Sequence, residues 1–286
     1  MIQRRALLPG ALAVCLLAPA VLAAQVHKPA PPKTPRLYVF DCGAIKGLSP
    51  ATFGFTKEQL ATTDFAVTCY LIAHPKGTLM WDVGVVPDSA FKGDGAPVTQ
   101  GPSTVTKPLK PQLAAIGYTP ADINYLALSH YHSDHTANAN DFAGATWIVE
   151  QAERDAMFAE KTAGIIQVAS FSALKNSKTV ILHGEDYDVF GDGTVVLKSA
   201  PGHTPGHQVL SLKLAKTGPL LLAGDLYHYA EERFTDKVPS FEFNKQQSLA
   251  SRAKMEDFLK KSGAQLWIEH DYLLHAKLKK APEYYE

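Results

Sequence analysis

The segment His130-Tyr131-His132-Ser133-Asp134-His135 gathers three histidines and an aspartate within six consecutive positions. Imidazole nitrogens and carboxylate oxygens are the groups that hold borderline metal ions such as zinc. In an extended loop, side chains two positions apart point the same way, so His130 and His132 can converge on one ion. Asp134 and His135, a step further along, can reach a neighbouring ion, and the spacing suits two metals better than one. A lone histidine is usually structural, and His-x-His alone arises by accident in surface loops. Such a density of ligands directly after the apolar run Tyr125 to Ser129 is not of that kind.

The missing partners follow later in the chain. His203 lies in Pro201-Gly202-His203-Thr204-Pro205-Gly206-His207, Asp225 follows Leu220 to Ala223 and Gly224, and His270 follows Leu266 to Ile268. Each closes a predicted strand, where a rigid scaffold presents catalytic groups. Asp82, just before Gly84, reads either as a carboxylate that orients a ligand histidine or as a turn residue. His207 has a similar supporting role open to it, whereas His74, His183 and His275 read as surface or packing residues.

These residues need a scaffold, and short β-branched or aromatic runs alternate with helical stretches from Arg36 onward. Strands are predicted at Leu37 to Phe40, Phe65 to Ile72, Thr78 to Trp81, Tyr125 to Ser129, Thr146 to Val149, Thr179 to Leu182, Thr194 to Lys198, Val209 to Leu214, Leu220 to Ala223 and Leu266 to Ile268. Helices fit Lys107 to Ile116 before Gly117, Glu150 to about Glu160, and Asn244 to Lys261 before Gly263. Thr119-Pro120-Ala121-Asp122 has the form of a helix start. The alternation implies a layered α/β protein with sheets inside. Val85 to Thr106 and Tyr227 to Phe243 resist assignment and read as long loops over a site. Their Phe91, Phe234, Phe241 and Phe243 either line an apolar pocket or pin the loops to the core.

The chain has 286 residues, 46% hydrophobic and 20% charged, enough for a sizeable core. Lys+Arg and Asp+Glu each total 28, so no global field gathers nucleic acid or an anionic membrane. Arg4 and Arg5, the apolar stretch Ala6 to Ala20 and Val21-Leu22-Ala23 read as an export signal over residues 1–24. The apolar stretch is too short, and too broken by Pro9, Gly10 and Pro19, for a membrane anchor. The expected location is periplasmic or secreted. Residues 25–35, with Pro29, Pro31, Pro32 and Pro35, form a linker or arm in which His27 is a solvated residue. Residues 36–286 make up the functional domain, and its oligomeric state stays open between monomer and homodimer. Cys15 leaves with the leader, while Cys42 and Cys69 remain where disulfides persist. A bond and two separate buried thiols both stay open, because bonding depends on a Cα separation that sequence does not supply.

The pattern H-x-H-x-D-H, the later glycine-flanked His, the Gly-Asp and the final His resemble the metallo-β-lactamase superfamily over nearly the whole mature chain. That resemblance implies an αββα sandwich with the site at one edge between two mixed sheets. It also implies two zinc ions, one on His130, His132 and His203, the other on Asp134, His135 and His270, with Asp225 as bridge. Redox members with iron typically carry Glu where His132 stands, zinc β-lactamases generally lack the bridging aspartate, and glyoxalase II-like thioesterases usually add a helical C-terminal domain.

Cys69 to Gly77, Trp81-Asp82-Val83-Gly84 and Glu269-His270-Asp271 are similar to N-acyl-homoserine lactone lactonases. The implied activity is ring opening of such lactones, or related small lactones, by a metal-bridging hydroxide, with Asp134 relaying a proton. One departure stands out: the tyrosine these lactonases carry three residues after the bridging aspartate is His228 here. Three readings stay open: His228 donates to the oxyanion, Tyr227 or Tyr229 replaces it, or none takes part. β-Lactam or thioester hydrolysis is the alternative within the fold, and a non-catalytic metal-binding protein is the alternative outside it.

Overall fold

The computed structural model describes Ile2 and residues 28–93, 95–160 and 166–286. The expected leader, Ile2 aside, and His27 lie outside the described residues. One sheet holds β1 (Arg36–Ile45), β2 (Phe65–His74), β3 (Gly77–Trp81), β4 (Val98–Gln100), β5 (Ser103–Val105), β6 (Tyr125–Ala127), β7 (Thr146–Glu150) and β8 (Thr179–Leu182). Its spatial order is β4-β5-β1-β2-β3-β6-β7-β8. The second holds β9 (Tyr187–Asp188), β10 (Val195–Ser199), β11 (Gln208–Leu214), β12 (Gly218–Leu222) and β13 (Gln265–Trp267), ordered β13-β12-β11-β10-β9. The helices are α1 (Leu109–Ala115), α2 (Ser133–Thr136), α3 (Gln151–Met157), α4 (Val168–Phe171), α5 (Lys245–Ser262) and α6 (Tyr272–His275). No helix of the described residues is long and apolar enough to cross a membrane.

The layers follow from strand alternation. Leu37 and Val39 of β1, with Tyr70 and Ile72 of β2, face the second sheet and pack with Leu197, Leu210, Leu212, Leu220 and Leu222. Their neighbours Tyr38, Phe40, Cys69 and Leu71 turn to the other side, against Leu109 and Leu113 of α1 and Met157 of α3. On the outer face of the second sheet, Val209 and Leu221 meet Met255 and Leu259 of α5. A central strand apolar on both faces marks a sheet covered on both sides, which is the αββα arrangement.

Strand direction positions the site. β3 pairs parallel with β6, β6 with β7, and β12 with β13, so within each run the carboxyl ends emerge together. Asp82 follows β3, His130 follows β6, Asp225 follows β12 and His270 follows β13. α5 carries the chain from β12 back to β13. Asn244 caps it by accepting the Gln247 N–H, and Gly263, in the left-handed region at φ 68°, ends it.

Three expectations change in detail. Thr119 and Asp122 do form a capping box, but the helix is a single 3-10 turn, because Ile123 already turns extended into β6. Val85 to Thr106 contains the β4–β5 hairpin, which adds to the end of β1. The metal-motif loop is extended only to His132, after which α2 turns the chain. The described end of the proline-rich segment lies against the domain, with Pro32 and Pro35 buried and Thr34 Oγ1 donating to Glu286 Oε1 at 2.6 Å.

Cys42 and Cys69 are joined by a disulfide with a Cα separation of 5.9 Å. It ties β1 to β2 across 27 positions of sequence. A closed loop of that length restricts the unfolded chain by about 3.5 kcal/mol. Cys69→Ala should therefore lower the urea unfolding free energy by roughly that amount. A thiol titration of unfolded, unreduced protein should find neither residue free.

Candidate metal centre

The seven expected ligands meet. Asp225 Oδ2 stands 3.6 Å from His130 Nε2 and 3.3 Å from His203 Nε2, and His203 Nε2 is 3.0 Å from His132 Nδ1. The other Asp225 oxygen, Oδ1, lies 3.2 Å from His135 Nε2 and 3.1 Å from His270 Nε2. Asp134 Oδ2 completes this second group at 3.5 Å from His270 Nε2. Two ligand atoms bound about 2.0–2.1 Å from one tetrahedral zinc stand about 3.3 Å apart. Each oxygen of Asp225 thus faces one complete ligand group, which is the geometry of a bridge.

The far side of each ring fixes what the near side offers. His135 Nδ1 donates to Asp82 Oδ2 at 2.9 Å, His270 Nδ1 to Ala66 O at 2.8 Å, and His203 Nδ1 to Glu242 Oε2 at 3.0 Å. His130 Nδ1 pairs with Ser129 Oγ at 2.9 Å. The inward nitrogens of His130, His135 and His270, and Asp225 Oδ1, are buried without a hydrogen-bond partner among the described residues. Buried polar atoms are almost always satisfied, so four lone-pair atoms left bare around one point fit a pair of cations.

Supporting residues hold the ligands in place. Gly224 adopts φ 49°, and a Cβ there would sit 2.7 Å from Ser129 Cβ and 2.8 Å from His207 Nε2, so only glycine delivers Asp225. His207 donates Nδ1–H to Ala200 O at 3.0 Å and accepts the Asp225 backbone N–H on Nε2 at 2.9 Å. Asp82 accepts the Ser129 N–H at 2.7 Å on its other oxygen, and it does so from φ 52°. It is the non-glycine residue with positive φ among those described. Glu153 of α3 accepts the N–H groups of Tyr131 and Gly206, both at 2.8 Å, and so ties the two ligand loops together.

The histidines divide: burial works to lower His135 and His203, but neighbouring carboxylates, Asp225 foremost, hold both above the usual imidazole range, while His130 and His132 shift toward the neutral ligand form. Burial, reinforced by His135, holds the His130 imidazole well below its usual range; burial and His203 do the same for His132. Burial pushes His207 down to about 3. Burial works to raise Asp225, but the ring of histidines beginning with His270 keeps it well below the usual carboxylate range. Behind His135, burial and the Asp82 charge raise the Glu269 carboxyl, which accepts the Trp81 Nε1–H at 3.3 Å.

A cavity of about 240 Å³ opens on the centre, with Asp134, His132, Asp225, His228 and His270 at its floor. Its walls include Ile45, Leu48, Phe53, Phe65 and Phe241. Of the four loop phenylalanines, only Phe241 lines it; Phe234 and Phe243 are 85% and 58% exposed, and Phe91 lies elsewhere. Tyr227 requires correction as a catalytic candidate. Its ring packs beneath Arg252 and its hydroxyl donates to Glu256 Oε1 at 3.1 Å, away from the cavity. His228 does reach it, with Nε2 3.2 Å from Asp225 Oδ2 and Nδ1 3.5 Å from Glu232 Oε1. His74 stacks on Phe190 and His275 pairs with Thr68, and neither joins the ligand clusters or lines the cavity.

Phe53, Phe65, Glu153 and Glu242 were not singled out from sequence. For Glu153 a signal exists: it shares a helical face with Met157, and a carboxylate there must be buried.

Residues 62–260 match the family model described as Metallo-beta-lactamase superfamily. The chain belongs to that superfamily. This superfamily member is 30% identical over 262 residues to AttM, an N-acyl homoserine lactonase of Azorhizobium caulinodans, spanning 88% of this chain and 98% of the relative. An N-acyl homoserine lactonase of a Bacillus species is 31% identical over 228 residues, 77% of this chain and 87% of the relative. The crystal structure of a quorum-quenching N-acyl homoserine lactone lactonase aligns with TM-score 0.71 at 27% identity, over 87% of this chain and 97% of that one. A second, of an N-acyl homoserine lactone hydrolase with the product N-hexanoyl-L-homoserine at its catalytic metal centre, gives 0.70 at 26% identity, over 87% and 98%.

Removing the His207 acceptor should be costly. His207→Phe keeps a ring but leaves the buried Asp225 N–H unpaired, at about 1–3 kcal/mol. The urea midpoint should fall accordingly, and His207→Gln, which restores an acceptor, should recover part of it.

Proposed function

We propose that this protein is a dizinc lactonase that opens N-acyl homoserine lactones or related small lactones. The observation that carries this reading is the bridging placement of Asp225 at the floor of an apolar cavity. The similarity to lactonases over most of both chains supports it. His130, His132, His203 and Asp225, with Asp134, His135 and His270, would hold two zinc ions, which when bound would supply Lewis acidity that lowers the pKa of water to roughly 7 and polarises an ester carbonyl.

The residues divide the remaining work. Ile45, Leu48, Phe53, Phe65 and Phe241 take the acyl chain and exclude water, while the lactone ring sits on the polar floor. Asp134, half-buried at that floor, accepts a proton from the attacking water and returns it to the ring oxygen as the carbon–oxygen bond breaks. His228 Nε2–H donates to the carbonyl oxygen as negative charge develops there. Glu232 Oε1 stands 3.5 Å from the opposite ring nitrogen, and Glu232 Oε2 is paired with Arg252 Nη2 at 2.5 Å. A periplasmic or secreted location is part of the same proposal, supported by the leader-like residues 1–24 and by the Cys42–Cys69 bond.

Zinc-loaded protein should hydrolyse long-chain homoserine lactones far faster than a cephalosporin or a thioester, and both chelation and His132→Ala should reduce turnover to background. A reversed ranking would assign the centre to β-lactams or thioesters, and no metal uptake on reconstitution would leave a non-catalytic fold. His228→Phe should lower kcat by about 100–1,000-fold with KM little changed, the mark of a donor used in the transition state.

A further inference from the structure

Each ligand group contains one histidine backed by a carboxylate, and the two carboxylates sit in different kinds of structure. Asp82, which backs His135, is buried at the end of β3 and fixed by the Ser129 N–H. Glu242, which backs His203, lies in the loop before α5 that also forms the cavity wall. Its neighbour Phe241, 42% exposed, stands over the opening. The Phe241 ring contacts Phe53, His132, His203 and His228 at centroid distances of 5.9, 6.1, 5.8 and 6.1 Å.

This loop is docked on both sides of the cavity. Ser240 N–H donates to Thr52 O at 2.7 Å on the wall that carries Phe53. Phe243 N–H donates to His203 O at 3.2 Å and Asn244 N–H to Gly202 O at 2.8 Å on the ligand loop. Ser248 Oγ donates to Glu242 Oε1 at 2.5 Å, leaving Oε2 for His203. Phe241 and Glu242 are adjacent, so displacement of the wall moves the carboxylate that orients the ligand. Among the described residues, Asp82 has no such hydrogen bond to the cavity wall.

We propose that Glu242 is a positioning residue that couples the apolar cavity to the metal centre. Occupancy against Phe241 steadies the Glu242–His203 hydrogen bond and tightens the hold of His130, His132 and His203 on their ion. By linkage, loading that ion tightens apolar binding by the same factor. The Asp134, His135 and His270 group stays outside the coupling. The inference rests on the dizinc part of the proposed function, and the lactonase part enters only in naming an acyl chain as the natural occupant.

The test is chelator-driven zinc release from the zinc-loaded full chain, followed with a chromogenic chelator, with and without octanamide, an apolar probe lacking a lactone ring. In wild type, octanamide should slow one of two release phases by at least about 5-fold, the lower range of site–site coupling. Glu242→Ala should speed that same phase by about 10–100-fold, the usual cost of losing a ligand's outer partner, and should abolish the octanamide effect. Glu242→Gln, which keeps an acceptor oxygen for His203, should restore part of both. Ser248→Ala should weaken both while leaving the loop backbone bonds in place, and it carries the test should Glu242→Ala fail to fold.

Equal slowing of both phases, or slowing that persists in Glu242→Ala, would mark simple obstruction of the chelator and overturn the proposal. So would wild-type release unaffected by octanamide. Lactone turnover measured in parallel reports on the proposed activity separately, since metal release does not depend on it.

Discussion

Everything in this protein is arranged around one carboxylate. Asp225 turns its two oxygens to two different sets of histidines, and the fold exists to keep that geometry while removing it from water. Like groups crowded together in a buried site repel one another and leave polar atoms unsatisfied, so such a cluster is unstable by itself. It becomes sensible once cations stand between the two sets. The scaffold tolerates the cluster through a shell of directed hydrogen bonds: the Asp225 backbone N–H donates to His207, and the ligand rings of His135, His203 and His270 donate to Asp82, Glu242 and Ala66.

Both sheets contribute to that arrangement. His130, His132, Asp134 and His135 leave the first sheet after β6; His203, Asp225 and His270 leave the second after β10, β12 and β13. The inter-sheet core of Leu37, Val39, Ile72, Leu210, Leu212 and Leu222 therefore sets the distance between the two halves of the centre. Glu153 adds a second constraint near the site, because its two carboxylate oxygens fasten the loop of His130 and His132 to the loop of His203.

The sequence made the ligands and the sheets legible for a common reason. Strands buried on both faces appear as unbroken apolar runs, and the ligands punctuate their ends. The helix Lys245–Ser262 could be placed within a residue because Asn244 and Gly263 mark its limits. What remained hidden depended on long-range packing. The β4–β5 hairpin gains its stability from pairing with β1, not from its own few residues. Tyr227 and His228 are neighbours on the chain, yet one side chain points to α5 and the other to the cavity. Phe53 and Phe65, which line the cavity, lie far in sequence from the loops that seemed to cover it. Glu242 could not be distinguished from any surface acid until the loop closed on His203.

Asp82 carries a cost that extends beyond the centre. A non-glycine residue at φ 52° is held in a sparsely populated conformation, typically at about 1–3 kcal/mol, though aspartate tolerates it better than most. Glycine at this position would relax the backbone, and would also strip the carboxylate from His135 and the acceptor from Ser129. Leaving the buried Ser129 N–H unpaired costs about 1–3 kcal/mol, the same size as the strain relieved, so the bent backbone at Asp82 is offset by the two bonds it makes possible.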